Sequence, residues 1–320
     1  MNVPSFRLPP SEYMSPEAKA ALPRVPSDMF EVLRQSPKDV TALRTNLPRL
    51  VAGRVAQLKQ MYKVETEERA IAGVPAVWTR PVAGITPAKS GKILLNLPGG
   101  GFMIANAGAN GMFETIPLSG LMGVEGVSIT YRQGPEAHYP AATEDVIKVY
   151  RELLKTHKSQ DVVIYGCSAG GQLTAQTTAA LIRDKLPLPA AIGLLCASAD
   201  MRLLGDSAAF TSPFQAIPNK EIRLSYFEGT KLDDPAVSPL RSPEVLRHFP
   251  PTLIVTGSRA LEMSSAVATN NALQKSGAVS QLNIWDGMGH AFFYDIALPE
   301  SREAFDTMAR FFTKYLHLKP

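Results

Sequence analysis

The sequence predicts an α/β fold, a mostly parallel sheet with helices on both faces. Three observations carry that reading. Short apolar, β-branched runs alternate with longer helix-compatible stretches from about residue 90 onward, as parallel strands joined by crossover helices require. One run, Val162-Val163-Ile164-Tyr165, ends abruptly in Gly166-Cys167-Ser168-Ala169-Gly170 and passes at once into a helical stretch, Gln172 to Asp184. The chain has 320 residues, 45% of them apolar and 19% charged, which is ample material for a large core.

Residues 1–60 differ from the rest. Pro-rich segments punctuate helical patterns at Pro16–Leu22, Ser27–Gln35 and Lys38–Tyr62, with Ser27 and Ser36 placed as N-terminal caps. These helices are too short to make a core alone. They are expected to form a helical cap region on a larger body, residues 61–320. Strands are expected there at Tyr62–Ala70, Pro75–Arg80, Ile93–Leu97 and Val127–Tyr131. A helix follows from Pro140 to His157, with Pro140 suited to its first turn and Glu144 and Asp145 near its positive end. Beyond Ser168 come strands at Ala191–Ser198, Thr252–Gly257 and Gln281–Trp285 and a helix at Met263–Lys275. Residues Met201–Arg241 break the rhythm with Pro, Gly and short apolar pieces. They read as an insertion over the carboxyl edge of the sheet, where the N-terminal region would join them as a cap.

Composition excludes several classes. The formal charge of +4 is small and spread along the chain, with no Lys/Arg cluster for nucleic acid and no acidic tail. No stretch has the length and apolarity of a membrane span, and the first residues lack the basic-then-apolar build of a secretory signal. Two cysteines, Cys167 and Cys196, are too few for a disulfide framework and are expected to be reduced and buried. The expectation is a cytoplasmic protein.

Gly166-Cys167-Ser168-Ala169-Gly170 between a strand and a helix has the form of a nucleophile elbow, a tight turn that lifts a serine hydroxyl above the sheet. The glycines suit a place where neighbouring backbone passes close. A serine nucleophile needs a base, and the base an orienting acid. Of five histidines, His290 stands in Gly287-Met288-Gly289-His290, a loop just past the last strand. That is where a base for Ser168 belongs. Gly99-Gly100-Gly101 after a buried strand can present free amides; with the amide of Ala169, those of Gly99 and Gly100 are expected to form an oxyanion hole. A phosphate loop is excluded because no Lys-Ser/Thr or G-x-G-x-x-G pattern follows.

Pro98–Phe102, Gly166–Gly170, Gly287–His290 and the segment from Tyr131-Arg132-Gln133-Gly134-Pro135-Glu136 to Pro140–Asp145 together resemble the hormone-sensitive-lipase family of α/β-hydrolases. The resemblance runs from about residue 90 to the C-terminus. It implies an eight-stranded α/β-hydrolase sheet with a helical cap, the order Ser, acid, His along the chain, carboxylesterase or lactonase activity, no cofactor or metal, and a homodimer through the sheet edge.

Three departures from the family pattern matter. Pro98 stands where the family has the histidine of His-Gly-Gly-Gly. Cys167 stands where it has the Asp before the nucleophile; that position points away from substrate, so a packing change is expected rather than a new nucleophile. Ala260 stands where it has the acid, in Gly257-Ser258-Arg259-Ala260-Leu261-Glu262. Glu262 is taken as the acid, its extra methylene reaching from a different base. The alternatives are a disabled position 260 or an acid from elsewhere, and the bland role of Glu262 is a first-turn carboxylate favoured by the helix dipole. Asp286 is nearer His290 in sequence but suits turn amides. Arg132, Glu144 and Asp145 are expected to form a structural ion pair.

The expected activity is serine carboxylic-ester hydrolysis of a moderately sized, apolar ester or lactone, with Ser168, Glu262 and His290 catalytic. Phe102, Met103, Met201 and Met288 are expected to line the substrate space, since Met side chains adapt to irregular ligands; Met112, Met122, Met263, Phe113, Phe210 and Phe214 are further candidates, with core or cap packing as the alternative role of each. The competing readings are an amidase or acyltransferase with the same machinery, and a non-catalytic receptor on a hydrolase scaffold.

Overall fold

Strand alternation sorts the central side chains onto two faces. In strand β5 (Val162–Cys167), Val162 and Ile164 join one buried cluster, while Val163, Tyr165 and Cys167 join the other. A strand buried on both faces must be apolar at every position. The computed structural model describes residues 9–22, 37–210 and 224–318. The expected helix Ser27–Gln35, the caps Ser27 and Ser36, and Phe214 lie outside these residues, as does the side chain of Phe210.

Eight strands form one sheet: β1 (Val64–Glu68), β2 (Ala76–Pro81), β3 (Ile93–Leu97), β4 (Glu125–Ile129), β5, β6 (Ala191–Leu195), β7 (Thr252–Gly257) and β8 (Ser280–Trp285). Their spatial order is β1-β2-β4-β3-β5-β6-β7-β8. The β1–β2 and β2–β4 pairs are antiparallel and all others parallel. Helices Ala141–Leu153, Ala169–Arg183 and Met263–Lys275 contribute to the cluster on one face, and Pro299–Tyr315 to the cluster on the other. The helix Asn110–Met122 packs on that second face and on the long helix Pro37–Tyr62. No helix among the described residues is long and apolar enough to cross a membrane.

Most expected elements appear, with shifted ends. Tyr62 closes a helix rather than opening a strand, because Lys63 takes a left-handed conformation (φ 52°) before β1 begins. Pro140 is the N-cap, not the first turn, and that helix ends at Leu153. The helix after Ser168 starts at Ala169 rather than Gln172. Gly170 and Gly171 are poor helix formers, but packing overrides propensity here. A β-carbon on Gly170 would lie 1.7 Å from the Leu97 carbonyl oxygen, and one on Gly166 2.1 Å from it. Both positions must be glycine for β3 and the elbow to sit this close.

The N-terminal region divides. Helix Pro16–Ala21 docks beside the C-terminal helix, where Glu300 accepts hydrogen bonds from the Ser15 amide at 2.7 Å and hydroxyl at 2.9 Å. Met14 rests where a Gly287 β-carbon would go. From the long helix, Arg44 donates to the carbonyls of Met103 (2.7 Å) and Gly134 (2.6 Å) and pairs with Glu136 at 3.0 Å.

Gly170→Ala is expected to lower stability by about 3 kcal/mol, the upper end for overpacking, because the obstructing atom is backbone. Urea unfolding measures this; a midpoint equal to the parent's would contradict the close approach.

Candidate active site

Ser168 is held in a strained conformation, φ 57° and ψ −123°, which costs about 1–3 kcal/mol. Two backbone hydrogen bonds fix it: Ser168 N–H to the Leu195 carbonyl at 2.7 Å, and Gln172 N–H to the Ser168 carbonyl at 3.0 Å. The turn leaves the Ser168 hydroxyl 2.9 Å from His290 Nε2. His290 Nδ1 lies 2.8 Å from Glu262 Oε2. A carboxylate only accepts, so Nδ1 carries the proton and Nε2 accepts from Ser168. The three expected residues come together in the expected order.

Glu262 reaches the histidine for a local reason. It occupies the N-cap position of Met263–Lys275, yet its side chain makes no capping bond. It turns inward, where Thr256 Oγ1 donates to Oε1 at 2.8 Å. The Ala260 side chain is wholly buried. The turn through Gly257–Ala260 is tied to the histidine loop by the Arg259 N–H to Met288 carbonyl bond, 2.9 Å. Asp286 takes no part; it accepts from Ser258 Oγ at 2.8 Å and from Ser11 Oγ. Arg132 pairs with Asp145 at 2.9 Å and Glu144 at 3.0 Å, away from the triad.

Burial by itself disfavours both charged forms in this pair. The His290 charge and hydrogen bond outweigh it for Glu262, whose carboxyl sits below its ordinary range. The Glu262 carboxylate likewise outweighs burial for His290, which is raised above 6.5. Cys196 Sγ, Glu262 and His290 bring donor atoms within 4.8 Å, the one such grouping among the described residues. The direct Glu262–His290 bond and the Ala291 N–H to Cys196 Sγ contact at 3.1 Å already occupy those atoms.

Cys167 is buried in the second core cluster and burial pushes its thiol well up, consistent with packing. The expected oxyanion donors are the amides of Gly99, Gly100 and Ala169. The Gly99 amide lies near the buried Glu114 carboxyl beneath the loop and favours its charged form. The amides of Gly100 and Gly101 make no hydrogen bond to the protein among the described residues, and Ala169 opens its helix, where an N–H has no intrahelical acceptor.

The expected lining residues are placed unevenly. Phe102 is wholly buried, stacked on Tyr226 at 4.9 Å and edge-on to Phe227 at 5.0 Å; it joins the loop to the insertion as packing. Phe113 packs against Tyr294. Met103 and Met288 are nearly buried, and Met201 keeps partial exposure. Sequence reasoning missed Glu114 and Tyr294. The signal was available: Glu114 is the one charged residue in Asn110–Met122.

A mostly parallel sheet with a strained serine at the end of a central strand and a hydrogen-bonded His–Glu pair beside it defines an α/β-hydrolase. Residues 94–294 match the family described by the alpha/beta hydrolase fold, and the chain belongs to that family. An acetyl-hydrolase of Streptomyces hygroscopicus is 29% identical over 242 residues, covering 74% of this chain and 78% of that protein. Among solved structures, esterase E25 is similar at TM-score 0.86 and 28% identity over 98% of both chains. An esterase from the bacterial hormone-sensitive lipase family is similar at TM-score 0.78 and 26% identity, over 94% of this chain and 99% of that one. The family resemblance read from the motifs is borne out.

His290 is expected to titrate above 6.5, and Glu262→Gln should move that titration downward by removing the charge that raises it. Imidazole NMR resonances followed against pH test this. An unmoved His290 titration in the variant would show that Glu262 does not govern the histidine.

Proposed function

We infer that this chain is a serine carboxylic-ester hydrolase acting through an acyl-enzyme. The observation that carries the reading is the continuous Ser168–His290–Glu262 hydrogen-bond chain at 2.9 and 2.8 Å. Ser168 Oγ attacks the ester carbonyl carbon while its proton passes to His290 Nε2. Glu262 holds the ring in the tautomer that can accept that proton and stabilises the imidazolium that results. The amides of Gly99, Gly100 and Ala169 are proposed to donate to the negative oxygen of the tetrahedral intermediate. Collapse expels the alcohol, which takes the proton from His290. Water then attacks the acyl-enzyme, delivers its own proton to His290 and releases the acid, and Ser168 recovers its hydrogen.

Linear esters and lactones share this intermediate, and both fall within the proposal. The name of the acetyl-hydrolase relative favours a short acyl group. The long helix Pro37–Tyr62 and the insertion around Tyr226–Phe227 are proposed as cap, because Arg44 and Phe102 join them to the Gly99–Met103 loop. A non-catalytic receptor finds its support in Ala260 alone, and the Glu262–His290 bond argues against it.

Hydrolysis of p-nitrophenyl butyrate tests the reading. Ser168→Ala should lower kcat by about 10⁴-fold or more, and Glu262→Gln by up to about 10⁴-fold with folding stability retained. A parent rate equal to that of Ser168→Ala would sink the proposal. A homodimer is proposed along the free edge of β8, where Val279 and Ile284 are 54% and 43% exposed. Light scattering should give twice the chain mass, and Ile284→Arg should return it to one; a parent of single-chain mass refutes the dimer.

A further inference from the structure

Glu114 is wholly buried, on the face of the sheet opposite the helix that follows Ser168. Among the described residues its carboxyl has no cationic partner. It is held by neutral donors, Asn96 Nδ2 to Oε2 at 2.8 Å and Tyr294 OH to Oε1 at 2.6 Å, and the nearby amides of Gly99 and Cys167 favour its charged form. Asn96 is fixed in turn, because its Oδ1 accepts from Ser128 Oγ at 2.7 Å.

These partners belong to the segments that carry the site. Asn96 lies in β3 just before the loop that carries Gly100 and Gly101. Cys167 precedes the nucleophile. Tyr294 lies in the short turn that follows His290. We propose that Glu114 is a positioning residue for catalysis, whose ionised carboxylate clamps the oxyanion strand, the nucleophile elbow and the histidine loop to one another. The proposal rests on the ester-hydrolase reading for its kinetic consequence, but not for its structural one.

The ionised form is the one that fits. The ionised form accepts both side-chain donors at once, Asn96 Nδ2 on Oε2 and the Tyr294 hydroxyl on Oε1. A proton on Oε1 requires Tyr294 to turn its hydroxyl and accept, and one on Oε2 requires Asn96 and Ser128 to reverse their bond. Protonation therefore rearranges the links through Glu114. Burial raises this carboxyl more than the donors lower it, leaving it at about 7. The other titratable groups that face it are Tyr131 after β4, Tyr165 and Cys167 of β5, Cys196 after β6 and Tyr294. All are raised from their ordinary values and neutral near pH 7, so Glu114 is the member of this cluster that changes charge there.

The test uses the full chain. In the parent, log kcat/KM against pH should fall with a slope above one on the acid limb, because both His290 and Glu114 must be deprotonated. Glu114→Gln should lose the second ionisation, leaving a slope of one, and lower kcat by about 10- to 100-fold with KM little changed, as a misplaced donor set does. Tyr294→Phe removes a donor that lowers the Glu114 carboxyl, so its steep segment should move to higher pH; this variant decides if Glu114→Gln does not fold. A slope of one in the parent, or a Glu114→Gln variant with parent kcat and a lowered melting temperature alone, overturns the proposal. Hydrogen exchange at pH 8 separates the two readings. Glu114→Gln should lose protection in residues 98–103 and 288–294 together, and loss confined to the helix Asn110–Met122 counts against the clamp. If the parent hydrolyses no ester, the ester-hydrolase reading fails and the exchange result alone decides Glu114.

Discussion

The approach of the Leu97 carbonyl to the elbow is the constraint on which the site depends. Gly166 and Gly170 both face that oxygen, one at the end of β5 and the other in the first turn of the helix beyond it. With no β-carbon at either place, the end of β3 lies directly against the turn that carries Ser168. The loop leaving β3 then has little freedom. It places Gly99 against the serine because it starts there, a β-carbon on Gly99 lying 3.3 Å from that of Ser168. The strain at Ser168 is stored in the same contact, since the tight turn is what brings the helix start under the strand end.

Two buried carboxylates serve this arrangement, and their surroundings give them opposite electrostatics. Glu262 faces an imidazole that becomes cationic, and that partner holds it ionised despite burial. Glu114 faces only neutral donors, so burial wins and its carboxyl rises. A charge with a charged partner can serve at the moment of proton transfer. One satisfied by dipoles alone is suited to holding backbone and side chains in place. The same residue type thus takes two roles, separated by what lies across the hydrogen bond.

Local pattern revealed the strands and the elbow because β-branched runs and glycine spacing are consequences of burial on both faces and of close backbone contact. It misjudged element ends where tertiary contact overrides propensity, as at Ala169, where two glycines hide a helix start. The helices Asn110–Met122 and Pro299–Tyr315 escaped separate notice. The first is apolar nearly all round, so it has no amphipathic stripe to read. A sequence shows which amides are free of proline, not which way they turn, and it gives no sign that Glu114, distant along the chain, comes to lie near the Gly99 amide.

The acid position shows how the fold tolerates a displaced residue. At Ala260 a side chain is enclosed within the turn that binds the Met288 carbonyl, and the loop carrying His290 is fixed by that same bond. An acid need only arrive at one point beside Nδ1, from whichever backbone position can reach it. Glu262 begins two residues further along, at the helix start, and its longer side chain spans the difference. Thr256, next to the end of β7, donates to its other oxygen. The requirement is therefore a location in space, set by β7 and the histidine loop, rather than a sequence position. That is why a motif missing its aspartate still folds into a complete Ser–His–acid chain.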